Sequence, residues 1–293
     1  MNKISKKARI IITLIMIVIC VICLLPIVAI ISISVSEQSR LIKEGYSLLP
    51  RGFSLDGYAF VFKDMEKILR AYRNSIIRTA IGTGLGLLMN SLFAYVLSRP
   101  KYRYRTALTI FLTIPMVLNA GLVPTYLVYT QYLHMKDSWA ALIMPLAVVP
   151  WYIILMRTFF NQIPYELSEA ARIDGAGEWR IYWNIVLPLA KPALATVGMF
   201  LALSYWNDWW YPMLYIETPE LITLQHMLSR MMKDVIELAN AAVQSGLNVS
   251  IADLPTEVMR MAMCMVAAGP MLFIFPFFQK YFVKGLTVGG VKG

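Results

Sequence analysis

Six long apolar runs, separated by more polar stretches of very different length, dominate the chain. They cover residues 10–34, 70–97, 106–129, 138–160, 189–216 and 258–283. Each, wound as an α-helix, is long enough to cross about 30 Å of hydrocarbon. The pattern predicts an all-α membrane protein with six transmembrane helices. Pro115 and Pro124 fall inside the third run, Gly269-Pro270 and Pro276 inside the sixth. Membrane helices tolerate such residues where neighbours satisfy the freed carbonyls. Gly82, Gly84 and Gly86 give the second run a smooth side for close helix packing. No strand precedes them, so they are not a dinucleotide loop. Asn74 and Ser75 are read as caps near that helix's outer end.

Between the fourth and fifth runs lies a polar island, residues 161–188. Glu166, Glu169, Asp174 and Glu178 alternate there with Arg172 and Arg180, which requires water or a polar partner. Pro164 suits a first helical turn, where its missing N–H costs nothing. A helix is expected from Tyr165 to Ile173. Gly175 then supplies the positive φ of a helix C-terminus, with Asp174 beside it. A second helix is expected from near Glu178 to Pro188, whose ring ends it. Ala170 and Ala171 leave a bare patch on the first helix.

Composition agrees with the pattern. Of 293 residues 58% are hydrophobic and only 15% charged, against about 25% charged in soluble domains. Mean hydropathy is +0.61. The net charge is +10, and its placement sets the orientation. Lys3, Lys6, Lys7 and Arg9 precede the first run, Arg99, Lys101, Arg103 and Arg105 follow the second, and Lys284 and Lys292 lie in the tail, with no acid in any of these segments. The positive-inside rule puts all three in the cytoplasm. Residues 1–9 are then a cytoplasmic N-terminus and 284–293 a cytoplasmic tail. Residues 35–69 and 217–257 become extracellular loops, the first balanced in charge and the second acidic. The 161–188 loop becomes cytoplasmic without having been used to set the topology. The first run is too long, and lacks a convincing cleavage site, for a secretory signal peptide.

Several chemistries are excluded at this level. No basic run is interleaved with aromatics, so no nucleic acid is expected. Cys20 and Cys23 form a CxxC within the first apolar run and Cys264 stands apart, which reads as apolar packing rather than a disulfide or metal set. His134 and His226 stand alone on outer segments. No catalytic constellation and no metal site is expected. No phosphate-binding glycine loop is present, so any ATP hydrolysis belongs to a partner.

Glu169-Ala170-Ala171, three residues, Gly175, nine residues, Ile185, one residue, Leu187-Pro188 resembles the EAA signature of permease subunits of bacterial ABC importers. Three further stretches are similar to the MalG-like, carbohydrate-uptake branch, and most to its LplC/YtcP-like oligosaccharide permeases. They are Asn161–Pro192, YWNDWWYPMLYI from Tyr205 to Ile216, and PFFQKYFVKGLTVGGVKG from Pro276. The resemblance implies the ABC importer permease fold (MetI/MalG-like), with the EAA loop as a cytoplasmic coupling helix docked in the ATPase. It implies a multi-pass protein of the bacterial cell membrane that is itself no enzyme. It also implies its partners: a second homologous permease, two ATPase subunits that hold ATP and Mg, an extracellular sugar-binding protein and an oligosaccharide. No cofactor is expected on this chain. Trp179 and Trp183 make the second EAA helix more aromatic than the family pattern. The competing readings are a structural or regulatory membrane subunit and a permease for a non-sugar solute.

Two sets of site residues follow. The resemblance gives Glu169, Ala170, Ala171, Asp174 and Gly175 the coupling to the ATPase. For the solute pathway, aromatic plates beside amide or carboxylate acceptors suit a sugar, which points to Trp206, Asn207 and Asp208. The same aromatics also suit an interfacial belt. Asn119 and Tyr126 in the third run are further pathway candidates. Arg78 is a charge inside the membrane, costly and therefore paired or facing water. Its depth matches that of Asp208, so the two are expected to pair or to hold a polar sugar between them; snorkelling of Arg78 to the headgroups is the alternative.

Overall fold

The computed structural model describes residues 6–118, 120–244 and 257–271. Every named element among them is helical; the one β contact is an isolated antiparallel bridge between Ser36 and Phe53. The chain divides into two compact units, one running up to Ile68 and resuming from Leu228 to Pro270, the other spanning Leu69 to Met227.

The first unit opens with α1 (Lys6–Ser34). Its side chains from Ile10 to Val28 are exposed, all round the helix. A 29-residue helix apolar on every side is what a bilayer solvates. Beyond it lie α2 (Gln38–Glu44) and α3 (Asp56–Val61). Ile33, Leu41 and Val258 form a small core. Gln38 Oε1 accepts the N–H of Val258 at 3.2 Å, and residues 257–271 are helical.

The long α4 (Met65–Ser98) carries the side chains, from Asn74 to Tyr95, that hydrogen-bond to the later helices of the second unit. It starts earlier than the expected residue 70, because Met65 to Leu69, good helix formers that include the charged Glu66 and Lys67, continue the helix. Asn74 and Ser75 therefore do not cap α4. Asn74 Nδ2 donates to the carbonyls of Glu220 and Ile222 at 2.7 and 3.0 Å. Ser75 Oγ accepts the N–H of Leu224 at 2.8 Å, the first residue of α14 (given below).

The expected third, fourth and fifth helices are each broken. The third becomes α5 (Arg105–Val117) and α6 (Leu122–Leu127), followed by a π-helical turn Val128–Tyr132. Pro115 weakens the last turn of α5, Leu118 is extended, and Gly121 has φ +87°. The fourth becomes α7 (Trp139–Ala147) and α8 (Pro150–Phe160), at 50° to each other. Pro150 forces the preceding Val149 out of the helical region, to ψ 110°.

In the polar island α9 (Tyr165–Ile173) leads to α10 (Glu178–Ile181). Pro188 does not end the second helix, as the sequence suggests. A π-helical turn, Tyr182–Val186, precedes α11 (Leu187–Leu189). That wider turn removes the clash of the proline ring with the carbonyl four residues back. The break falls instead at Ala190, with an 83° bend into α12 (Lys191–Asn207). The fifth run breaks again at the extended Asp208, before α13 (Trp210–Tyr215). The acidic segment that follows carries α14 (Leu224–Gln244).

Among the described residues two helices are long and apolar enough to cross a membrane, and three bent pairs reach that length together. The end of the expected sixth crossing, residues 272–283, lies outside the described residues, as do Pro276 and the tail.

Candidate functional site

The 161–188 loop is built around the C-terminus of α9. Gly175 has φ +82° and its N–H donates to Arg172 O at 3.0 Å, while the Ala176 N–H donates to Ala171 O at 2.8 Å. These two bonds are those of a Schellman motif, which closes the helix and satisfies its last carbonyls. Ala171 and Ala176 both pack against the core, the apolar contact that accompanies the motif. Pro164, with ψ 126°, sits just before the helix rather than inside its first turn.

Helical spacing divides α9 into faces. Tyr165, Ser168 and Arg172 share one. Glu166, Ala170 and Ile173 share another and are exposed, Ile173 at 87%. Asp174 and Glu169 are also exposed, with Glu169 Oε1 3.5 Å from Lys101 Nζ.

Behind the first face lies a charged brace that composition alone does not reveal. Arg172 donates through Nε and Nη2 to Glu178 Oε1 at 2.8 and 2.7 Å and through Nη1 to Tyr165 Oη at 2.7 Å. Tyr95 of α4 donates to Glu178 Oε2 at 2.6 Å. Arg99 lies 4.3 Å over the Tyr95 ring and donates to Ser168 Oγ at 3.0 Å. Glu178 therefore joins α4 to α9. Burial alone raises its pKa; the hydrogen bonds from Tyr95 and Arg172 and the charges of Arg172 and Arg99 outweigh that and hold it below the usual carboxylate value. One helical turn deeper, the Ser91 and Tyr182 hydroxyls meet at 2.7 Å.

A second network sits where α4, α7 and α12 meet. Arg78 is 1% exposed. Its Nε donates to Leu142 O at 2.7 Å and its Nη1 to the carbonyls of Tyr205 and Asp208 at 3.2 and 3.1 Å. Its Nη2 pairs directly with Asp208 Oδ2. The two charges touch, leaving no room for a sugar between them, and Arg78 does not snorkel. The other oxygen of Asp208 accepts the N–H groups of Trp210 and Tyr211 at 3.0 and 3.2 Å, closing the start of α13. The break in the fifth run is thus sealed by one carboxylate facing a helix N-terminus and an arginine facing the orphaned carbonyls.

Close backbone approach makes this possible. A Cβ on Gly82 would lie 2.5 Å from the Tyr205 ring, and one on Gly86 would meet Leu201 at 3.1 Å; Gly84 faces open space. The smooth side is therefore Gly82 and Gly86, four residues apart, without Gly84. Asn90 of α4 serves the break between α7 and α8. Its Nδ2 donates to Gly86 O and Ala147 O at 2.6 and 2.8 Å, and its Oδ1 accepts the Val149 N–H at 3.0 Å. Asn90 is fully buried; in the sequence its signal is an amide within an apolar run, where polar groups are costly and need partners.

The remaining pathway candidates divide. Trp206 is buried, its ring 6.4 Å from Tyr72, whereas Asn207 is exposed. Tyr126 stacks on Tyr215, centroids 5.7 Å apart and planes 9° apart. Asn119 lies outside the described residues.

Comparison with known proteins places this architecture. Residues 82–288 match the family of binding-protein-dependent transport system inner membrane components. The chain is 35% identical to Protein LplC of Bacillus subtilis (strain 168), over 89% of this chain and 86% of that protein. It is 34% identical to the polygalacturonan/rhamnogalacturonan transport system permease protein YtcP of the same organism, over 89% of each. Among solved structures it is similar to a chain from a bacterial ABC transporter involved in the import of the acidic polysaccharide alginate, with a TM-score of 0.77 and 30% identity, covering 96% of this chain and 100% of that one. This chain belongs to the family of inner-membrane components of binding-protein-dependent transport systems.

Proposed function

We propose that the chain is a permease subunit of a bacterial ATP-driven importer of oligosaccharides, including those released from polysaccharides. Together with a second, related permease it forms the pathway; two ATPase subunits, holding ATP and Mg, hydrolyse ATP, and an extracellular binding protein delivers the sugar. It crosses the membrane six times with both termini in the cytoplasm. The observation that carries this reading is the α9 helix-turn. It is closed by Gly175 at φ +82°, exposes Glu166, Ala170 and Ile173, and sits in a chain whose relatives include sugar-transport permeases.

In this reading Glu169, Ala170, Ala171, Asp174 and Gly175 form the coupling element. ATPase movement reaches α9, and the Arg172–Glu178–Tyr95 brace passes it to α4. Asn207 and the edge of Asp208 meet the solute at the break in the fifth run, with Trp206 and Arg78 holding that break in shape. Tyr126 lines the pathway from the third run, where Asn119, outside the described residues, is a further candidate by its sequence position alone. The test is ATPase activity of the reconstituted complex over a panel of neutral and uronate-containing oligosaccharides presented on the binding protein. Stimulation by one sugar class is expected; ATPase activity indifferent to every sugar, with the complex intact, sinks the sugar reading.

A further inference from the structure

A cleft of about 470 Å³ opens between the α9 face carrying Tyr165 and Arg172 and the segment following α4. Three cations line it, Arg99, Lys101 and Arg172, against one carboxylate, Glu178. Arg172 and Tyr95 already satisfy Glu178. Arg99 is spread over the Tyr95 ring, and Lys101, 78% exposed, reaches only to 3.5 Å from Glu169. Burial pulls the Arg99 guanidinium below its usual pKa despite the favourable charges of Tyr95 and Glu178 around it. Counted with Glu169 at its rim, the cleft keeps one positive charge in excess of its carboxylates and has room for an anion.

Depth says which anion. Tyr95 and Val96, which also line the cleft, belong to the last turn of the apolar α4, which ends at Ser98. Arg99 follows four residues after Tyr95, about 6 Å along a helix axis. The cleft thus straddles the level where hydrocarbon gives way to headgroups, and its three tyrosines, Tyr95, Tyr102 and Tyr165, are the side chains that favour this border. The opposite face of α9, with Glu166, Ala170 and Ile173, is a separate exposed surface. An ATPase seated there leaves the cleft to the membrane.

We propose that this cleft binds the phosphate of an anionic phospholipid headgroup in the cytoplasmic leaflet, an inference that rests on the membrane orientation given under the proposed function. The phosphate bridges Arg99 and Lys101 at the end of α4 to Arg172 on α9, tying the coupling helix to the bilayer surface. A free phosphate shares this chemistry but lacks the acyl chains that place it at this depth.

The test uses the purified complex in nanodiscs of phosphatidylcholine, with and without phosphatidylglycerol, and native mass spectrometry to count retained phosphatidylglycerol. Wild type retains it. Lys101→Gln weakens retention about fivefold, the worth of one base at an anionic surface, and Lys101→Arg restores it. Arg103→Gln, a base of the same segment set against Tyr104 and outside the cleft, leaves retention unchanged. Equal losses at Lys101 and Arg103 mean general surface attraction and overturn the site. So does undiminished retention in Lys101→Gln. Protection of the complex by inorganic phosphate in pure phosphatidylcholine, without preference for phosphatidylglycerol, overturns the lipid in favour of the free anion. Sugar-stimulated ATPase activity in the phosphatidylglycerol-containing nanodiscs is read separately. If it persists while lipid retention fails, only this inference falls; if it is absent while retention holds, only the proposed function falls.

Discussion

The Arg78–Asp208 lock and the Arg172–Glu178 brace are both arginine–carboxylate pairs tied to α4, the first through Arg78 itself and the second through Tyr95, yet they work under opposite conditions. The lock is dry: Arg78 is 1% exposed, and three backbone carbonyls share its donors with Asp208. The brace is wet, with side chains 31% and 53% exposed. A buried charge that loses its partner is left in a low-dielectric medium, so a pair of that kind is costly to break. An exposed pair is screened and contributes little stability. The lock is therefore suited to holding shape and the brace to transmitting motion, since it can break and re-form at small cost.

Substitutions separate the two roles. Arg78→Met is expected to destabilise the assembled complex by about 3–5 kcal/mol, through the stranded Asp208 carboxylate. Asp208→Asn, which keeps an acceptor for the N–H groups of Trp210 and Tyr211, is expected to cost less. Thermal unfolding of the purified complex measures both, and equal losses would mean that the ion pair alone, without Arg78's bonds to the carbonyls, holds the break. The exchange Arg78→Asp with Asp208→Arg restores only part of uptake, because aspartate cannot donate to the carbonyls of Leu142 and Tyr205. A complete rescue would assign all the effect to the ion pair.

Packing beside the lock comes next in size. Gly82→Ala drives a methyl to within 2.5 Å of the Tyr205 ring and is expected to cost about 1–3 kcal/mol. Gly84→Ala, into open space, is expected to be neutral. Melting temperatures that do not distinguish the two would break the assignment of the close face.

At the brace end, Gly175→Val forces a β-branched residue to φ +82°, a strain of about 1–3 kcal/mol. Insertion and assembly are expected to survive while transport per ATP falls. Normal coupling in the double variant with Glu169→Lys would remove the coupling role from this turn.

The smallest expected effect on stability is at Glu178. Glu178→Gln should change it by about 0–1 kcal/mol and lower coupling. The sign with pH follows from its depressed pKa. The stabilisation is fully present above the unfolded value and is lost as pH falls through the folded one. Asp137 behaves in the same direction, its carboxylate held down by hydrogen bonds from the Thr218 side chain and backbone. Glu178→Gln therefore flattens the acid limb of the stability profile only in part. A limb unchanged by the substitution would show that the brace does not titrate as described.

How much of this was legible beforehand depends on whether a residue's duty is local. Gly175 was legible because a positive φ at a helix end is a demand of the backbone itself. Arg78 and Asp208 were legible as a pair because charges in apolar runs must find partners. The breaks at Val148, Ala190 and Asp208 were not. An apolar run looks the same whether it is one helix or two, and what makes a break tolerable lies on another helix, in Asn90 or Arg78. Pro188 belongs with these breaks: whether its ring ends a helix depends on the width of the preceding turn, here the π-helical Tyr182–Val186.

Asn90 shows what such dependence does to substitution. It faces two carbonyls, which only accept, and one N–H, which only donates. The site thus needs an amide in a single orientation. Aspartate has the right shape but would aim an acceptor at two acceptors. Leucine has the right volume but would strand all three backbone groups, and glutamine would overreach by a methylene. Along α4 this position tolerates one letter of the alphabet, and the hinge between α7 and α8 inherits that intolerance although no residue of the hinge itself displays it.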